Sequence, residues 1–371
     1  MKKYILLFIA IILILLSVSV DSSAYSDNDF GSEFSSQTQD SLFSSVDDET
    51  KEILSQFGIE DLQGACEASF SDIAEYFSTN IKEKAADAVK CFFSLLVITL
   101  LIAIIRSIAA DFGESDAFEL LSVAVASIVS INFLYPVINA IVSVLMVSGN
   151  FIKAYIPIFA GIIAASGKPA SALTYNTLVL AMAEILSAVC SDYAVHIIGA
   201  FIGVSVGFSL SNSISVERIT HLFNKAVSLI FGFSAGTFAS VLTLKGSISA
   251  SVDSTSVRSV RYLISSVIPV VGSSISEAYS SILGSIGLIK GSVAIIGVIS
   301  ILVINIPALA QALLYYATMN ILSIAGIALD CKRLSVFFNC LGCAIRFLLI
   351  LTVFEIFLLV ISTGLLMSFK E

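Results

Sequence analysis

Charge is the commodity this chain has least of. Asp, Glu, Lys and Arg make up 13% of its 371 residues, where soluble domains carry about 25%. That deficit places the chain among membrane proteins before any motif is read. Histidine is scarcer still. His196 and His221 lie in separate parts of the chain and no HExxH occurs, so neither triad chemistry nor a zincin site is expected. No basic stripe with interleaved aromatics is present, which argues against nucleic-acid binding. Of six cysteines only Cys66 sits in the acidic N-terminal segment, so no disulfide framework is implied there. Cys340-Leu-Gly-Cys343 has the CxxC spacing and Cys331 is nearby. A structural zinc site needs about four ligands, and neither histidine is close, so these thiols read as small helix-packing residues. Gly161…Gly167-Lys168-Pro169 looks like a phosphate loop only superficially, because its glycines are too far apart and Pro stands where Ser or Thr is needed. No catalytic residue, cofactor or metal is expected, and the chain reads as a non-enzyme.

What is present is apolar sequence: 57% hydrophobic residues and a mean hydropathy of +0.99. Segments of about 20 such residues can cross a hydrocarbon core about 30 Å thick. The net charge of −9 is uneven. Residues 21–88 hold 16 Asp and Glu against Lys51, Lys82 and Lys84, and the remainder is mildly basic. Met1-Lys2-Lys3, the apolar run Ile5–Leu16 and Ser22-Ser23-Ala24 before Tyr25 form a signal-peptide pattern over residues 1–24. An uncleaved anchor is the alternative, and either delivers the next segment across the membrane. Residues 25–88 form a short acidic extracytoplasmic segment. Its first half is rich in Ser, Asp and Gln and reads as a solvated linker. Ile53, Leu54, Phe57 and Ile59, then Phe70, Ile73 and Phe77, recur at near-helical spacing. Residues 89–371 form the membrane domain. The fold expected is all-α: a polytopic transmembrane bundle of about seven or eight spans.

The expected spans are Val89–Ile105, Phe118–Val147 (long enough for Pro136 to kink or break it), Phe151–Ala165, Leu173–Cys190, Ala194–Leu210, Ala226–Leu244, Ser292–Tyr316 and Phe337–Leu366, while Tyr262–Ile289 is ambiguous between crossing and returning. Residues 212–225 read as a polar loop and residues 245–261, with Lys245, Arg258 and Arg261, as a Ser-rich loop. The positive-inside rule places the loops at Arg106, Lys168 and Arg218 inside but leaves the Ser-rich loop outside. Either one segment is two half-spans or the Ser-rich stretch dips into the bilayer and returns, which is tolerated where backbone is covered by protein or water.

A few polar residues fall inside spans. Glu184 is mid-span, and the cost of burying a charge there, about 3 kcal/mol, predicts that it faces the bundle interior. It reads either as an ion or pore site or as an interhelical hydrogen bond. Arg346 and Glu355 in the last span are nine residues apart, half a turn out of phase, so each needs a partner elsewhere or must snorkel. Arg346 to Glu184 is a conceivable pair. Gly199, Gly203 and Gly207 make a small-xxx-small ridge that Gly232 and Gly236 repeat. Such ridges read as close helix packing, within the chain or between subunits. Ile268-Pro269-Val270-Val271-Gly272, followed by a Ser-rich face, suits a broken or re-entrant helix, or an amphipathic helix at the interface.

The order of features resembles the stage III sporulation protein AE family of endospore-forming bacteria. The residues that carry the likeness are Tyr155-Ile156-Pro157 with Ala165-Ser166-Gly167, Val257-Arg258-Ser259-Val260-Arg261 leading to Ile268–Gly272, and Ile306-Pro307-Ala308-Leu309. The resemblance implies a mother-cell membrane component of the sporulation channel that links mother cell and forespore. It also implies partners from the same stage III assembly, including a cytoplasmic ATPase and extracytoplasmic ring proteins. It implies no catalytic residues. Two other readings compete: an autonomous secondary transporter with Glu184 and the Pro269 region forming a midplane site, and a passive scaffold that anchors soluble partners.

Overall fold

The computed structural model describes Lys51, Ser55 and residues 70–110, 115–209, 216–267 and 272–368. The expected signal peptide, the linker 25–50, Cys66 and Pro269 lie outside the described residues. The described chain is helical with no strand: α1 (Phe70–Ala110), α2 (Ser115–Ala165), α3 (Pro169–Ala188), a π-helical turn (Val189–Tyr193), α4 (Ala194–Ser209), α5 (Val216–Val267), α6 (Gly272–Ala328) and α7 (Lys332–Ser368). Six helices among the described residues are long and apolar enough to cross a membrane, and Ala194–Gly207 is a shorter apolar one.

The helices are longer than the sequence pattern suggests. The two stretches expected on either side of Val147 are one helix, α2, which runs through both Pro136 and Pro157. Proline removes a backbone donor and kinks a helix, but neighbouring helices can hold both halves in line. Tyr262–Ile289 is divided between the end of α5 and the start of α6, and Gly272 is the first residue of α6. From there α6 continues through Pro307 for 57 residues. The Ser-rich residues 245–261 are not a loop but the second half of α5, and residues 216–225 are its first turns. Serine and threonine favour turns when their hydroxyls compete for backbone groups. Here Thr243, Ser247, Ser251, Thr255 and Ser259 each donate to the carbonyl four residues earlier, at 2.7–3.0 Å. The loop that stood on the wrong side by the positive-inside rule is therefore part of a continuous helix.

Two tight turns set the packing of neighbours. At the end of α2, Lys168 N–H donates to Ile163 O at 3.2 Å and Gly167 N–H to Ala164 O at 3.0 Å, with Gly167 at φ 81. This is a Schellman close, in which a left-handed residue frees the next helix to start. Pro169 then opens α3, where its missing donor is not needed. The α6–α7 turn repeats the pattern with Asp330 at φ 55, and Cys331 N–H reaches Gly326 O at 2.8 Å. Arg106, near the end of α1, pairs with the Asp330 carboxylate at 3.4 Å.

α6 and α7 are the centre of the molecule. Most of their side chains are buried and they pack along each other. α1 and α2 cover α6, and the π turn and α4 lie against α2 and α7. α5 is the rim. Phe231 meets Phe354 edge to face at 5.4 Å, and Phe223 stacks on Phe201 at 4.2 Å. Thr220 and Asn224 reach Cys340 and Cys343 at 3.0 and 2.8 Å, so the CxxC thiols serve the α5–α7 contact. Most of the rest of α5 is open, including Leu229, Phe233, Leu244 and Ile248.

Candidate functional site

One group of polar residues inside this bundle meets in a seam between α2, α6 and α7. At its centre is Glu355, whose side chain is fully buried, at 0% exposure. α2 brings Ser148 against the same carboxyl, and α6 brings Asn305, whose Nδ2 donates to Ser148 Oγ at 2.8 Å and to Ile301 O at 2.9 Å. Cys190, on the π turn, directs its thiol at Glu355 Oε1 across 3.9 Å. Gly149 lets the carboxyl approach α2: a methyl there would stand 3.7 Å from Glu355 Oε1 and 3.6 Å from Ser187 Oγ. A π turn fits one more residue into the helical course than an α turn does, and such turns are frequent at functional positions.

The seam continues along α7. Two to three turns beyond Glu355, Ser362 and Thr363 face the phenols of Tyr155 and Tyr175. Tyr155 is held on both sides, stacked on Phe151 at 5.8 Å and Phe159 at 5.4 Å, and its hydroxyl donates to Val293 O at 3.2 Å. Further still, the buried Lys290 amine donates to Leu366 O at 3.2 Å. A lysine this deep keeps its head on a backbone dipole rather than on a carboxylate.

The sequence-expected polar residues do not come together. Glu184 does not face the interior. Its side chain is 62% exposed on the outside of α3 and pairs with Lys153 of α2 at 3.3 Å. The expectation failed because an acid can also be accommodated on the periphery when a cation from the next helix neutralises it. Arg346 sits half-buried beside Cys343, on the opposite face of α7 from Glu355, and Glu184 is committed elsewhere. The glycine ridges are likewise not packed. A methyl added at Gly199, Gly203, Gly207, Gly232 or Gly236 would meet nothing within 4 Å. The close-packed glycines are instead Gly297, where a methyl would overlap the Tyr155 ring, and Gly326, 3.1 Å from the Ser335 backbone. Ser148 and Gly297 gave no signal in the sequence; for Asn305 a lone Asn in an apolar run was the one available clue.

The Lys153–Glu184 pair makes a direct prediction. Reversing either charge sets two like charges side by side at this contact, so Lys153→Glu and Glu184→Lys each lower the melting temperature of the lipid-reconstituted protein. The double swap recovers most of that loss. A swap no better than the worse single change would mean that the pair contributes nothing.

A family model described as stage III sporulation protein AE matches residues 54–368, taking in all seven helices and the whole seam. The chain belongs to the stage III sporulation protein AE family. A relative in Bacillus subtilis (strain 168), named stage III sporulation protein AE, is 24% identical over 245 residues, covering 64% of this chain and 61% of the relative. The chain thus aligns with less than two thirds of that relative's length. No solved structure matches it. Two of the motifs that carried the resemblance adjoin the seam: Tyr155 is the phenol bound to Val293, and Ile306-Pro307 follows Asn305 directly. This member of the family is a multi-pass helical protein with several spans.

Proposed function

We propose that the chain is a membrane subunit of the channel assembly joining mother cell and forespore, a secretion-like or feeding-tube structure. In this reading it sits in the mother-cell membrane and works with a cytoplasmic ATPase and extracytoplasmic ring proteins of the same stage. Family membership supplies the setting. The observation that supports a subunit role is the open face of α5. That helix carries hydroxyls on every fourth residue from Thr243 to Ser259 and an uncovered glycine pair at Gly232 and Gly236. Glycine pairs let a second helix approach closely in lipid, and nothing among the described residues occupies theirs.

Affinity-tagged protein extracted from sporulating cells should bring down ring proteins and the ATPase. Gly236→Leu, which adds bulk only on the open face, should weaken that recovery while leaving the melting temperature of the isolated chain unchanged. Recovery of the chain alone, with equal yield from both forms, would reject the subunit role. The seam around Glu355 favours a second reading, an autonomous transporter, which predicts ion-driven solute uptake by liposomes containing this protein alone.

A further inference from the structure

We infer that Glu355, Asn305 and Ser148 form a binding site for a monovalent cation, a proton or sodium, at the centre of the bundle. The inference goes beyond membership of a channel assembly and does not require it. All three side chains are completely shielded and come from three different helices. Two of their atoms, Glu355 Oε2 and Asn305 Oδ1, are buried acceptors with no donor. Exchanging the Asn305 oxygen and nitrogen would not help, because its nitrogen serves Ile301 O, a group that can only accept. Ser148 Oγ accepts from Asn305, which leaves its own proton for the carboxyl. The pocket therefore has more acceptors than donors.

Among the described residues no cationic side chain stands against the carboxyl. Lys153 is paired with Glu184 at 3.3 Å, and Lys290 is bound to Leu366 O at 3.2 Å. Against the carboxyl stand Ser148 from α2 and Cys190 from the π turn, and Asn305 from α6 joins them through its bond to Ser148 Oγ. α5 contributes Phe231, which lies against Phe354. Of these only the Cys190 thiol titrates, and none is cationic. A carboxylate left bare in such a place is strongly disfavoured by its lost hydration, and offsetting that loss takes one positive charge. A divalent metal is the poorer fit: among the described residues no group of three His, Cys, Asp or Glu converges. One carboxyl with neutral oxygens around it matches a single charge.

The test uses the full chain in lipid nanodiscs. The five free cysteines buried among the described residues report unfolding to a thiol-reactive dye. Sodium chloride is exchanged for choline chloride at constant ionic strength and at several pH values. The infrared stretch of a protonated carboxyl is followed in parallel. A sodium site gives a melting temperature that rises by roughly 5 °C with sodium, a loss of that rise in Glu355→Gln, and a reduced rise in Asn305→Ala. A proton site gives no sodium response. Instead, a carboxylic-acid stretch grows as pH falls, absent from Glu355→Gln, with stability rising in the same direction. A stretch that is constant at every pH and sodium level, with no ion-dependent melting, would overturn the site and leave Glu355 a permanently neutral structural group. Should Glu355→Gln fail to fold, the wild-type spectra and Asn305→Ala decide between these outcomes.

Discussion

Gly297→Ala lowers the melting temperature of the reconstituted protein by several degrees, and Gly297→Val yields little folded material. Two effects oppose each other at this position. Alanine is favoured over glycine inside a helix by about 1 kcal/mol, which alone would stabilise α6. Against it stands the Tyr155 ring, which occupies the space where the new methyl must go. The ring cannot retreat, because Phe151 and Phe159 flank it and its hydroxyl is tied to Val293 O. Overpacking a rigid core costs about 1–3 kcal/mol, and a ring clamped on three sides belongs at the upper end, so the clash wins. Valine adds two further carbons to the same overlap. Tyr155→Leu in the Gly297→Ala background should recover part of the loss, although Tyr155→Leu alone destabilises. That coupling is read from a double-mutant cycle. Gly199→Ala is the control: nothing stands within 4 Å of its added methyl, so it should melt no lower than the wild type. If Gly297→Ala also melts like the wild type, α6 and α2 are not in this register.

Asp253→Ala should detach the start of α3 from α5. The first amides of a helix have no partner within it, and here Ala170 N–H and Ser171 N–H each donate to one oxygen of the Asp253 carboxylate, both at 2.8 Å. Asp253 is itself buried and lies more than 80 residues further along the chain. Losing a cap costs about 0.5–2 kcal/mol, and leaving buried donors unmade adds about 1–3 kcal/mol. We expect a loss of about 3 kcal/mol from the alanine variant. Asp253→Asn keeps an acceptor but forfeits the attraction between a negative charge and the helix N-terminus, so it should fall between. The neighbouring Thr174–Ser249 hydroxyl contact, at 2.7 Å, gives a local readout. With cysteines at those two positions, oxidation should cross-link α3 to α5 readily, and more slowly once Asp253 is alanine. Unchanged cross-linking and unchanged melting would mean that the cap is dispensable.

How much of this could be read from the sequence follows from what each signal encodes. Long apolar runs mark helices that can enter lipid, and the helical, multi-span character was legible from them alone. Covering is not legible in the same way. Glu184 and Glu355 have equally apolar neighbours, yet one is paired at the periphery and the other sealed inside. What separates them is Lys153, on a different helix, and the shape of the whole bundle. The phase argument that set Arg346 and Glu355 on opposite faces of the last helix did hold, because it uses only the pitch of one helix. Glycine spacing told of ridges but not of what touches them. Gly297, the tightest of the close-packed glycines, has no glycine three or four residues away to announce it. The Ser-rich half of α5 misled because its hydroxyls bond backwards along the helix instead of turning the chain.

The arrangement of α6 and α7 bears on how the molecule is made. These two helices are synthesised after the other five, yet they are the hub around which the others stand. Earlier helices can enter the bilayer one by one, but their inner faces meet lipid tails until the final pair arrives and displaces them. This order lets insertion proceed one helix at a time while the packed core waits on the last two. A ribosome that stops short of Gly272 would leave behind a set of inserted spokes with no axle.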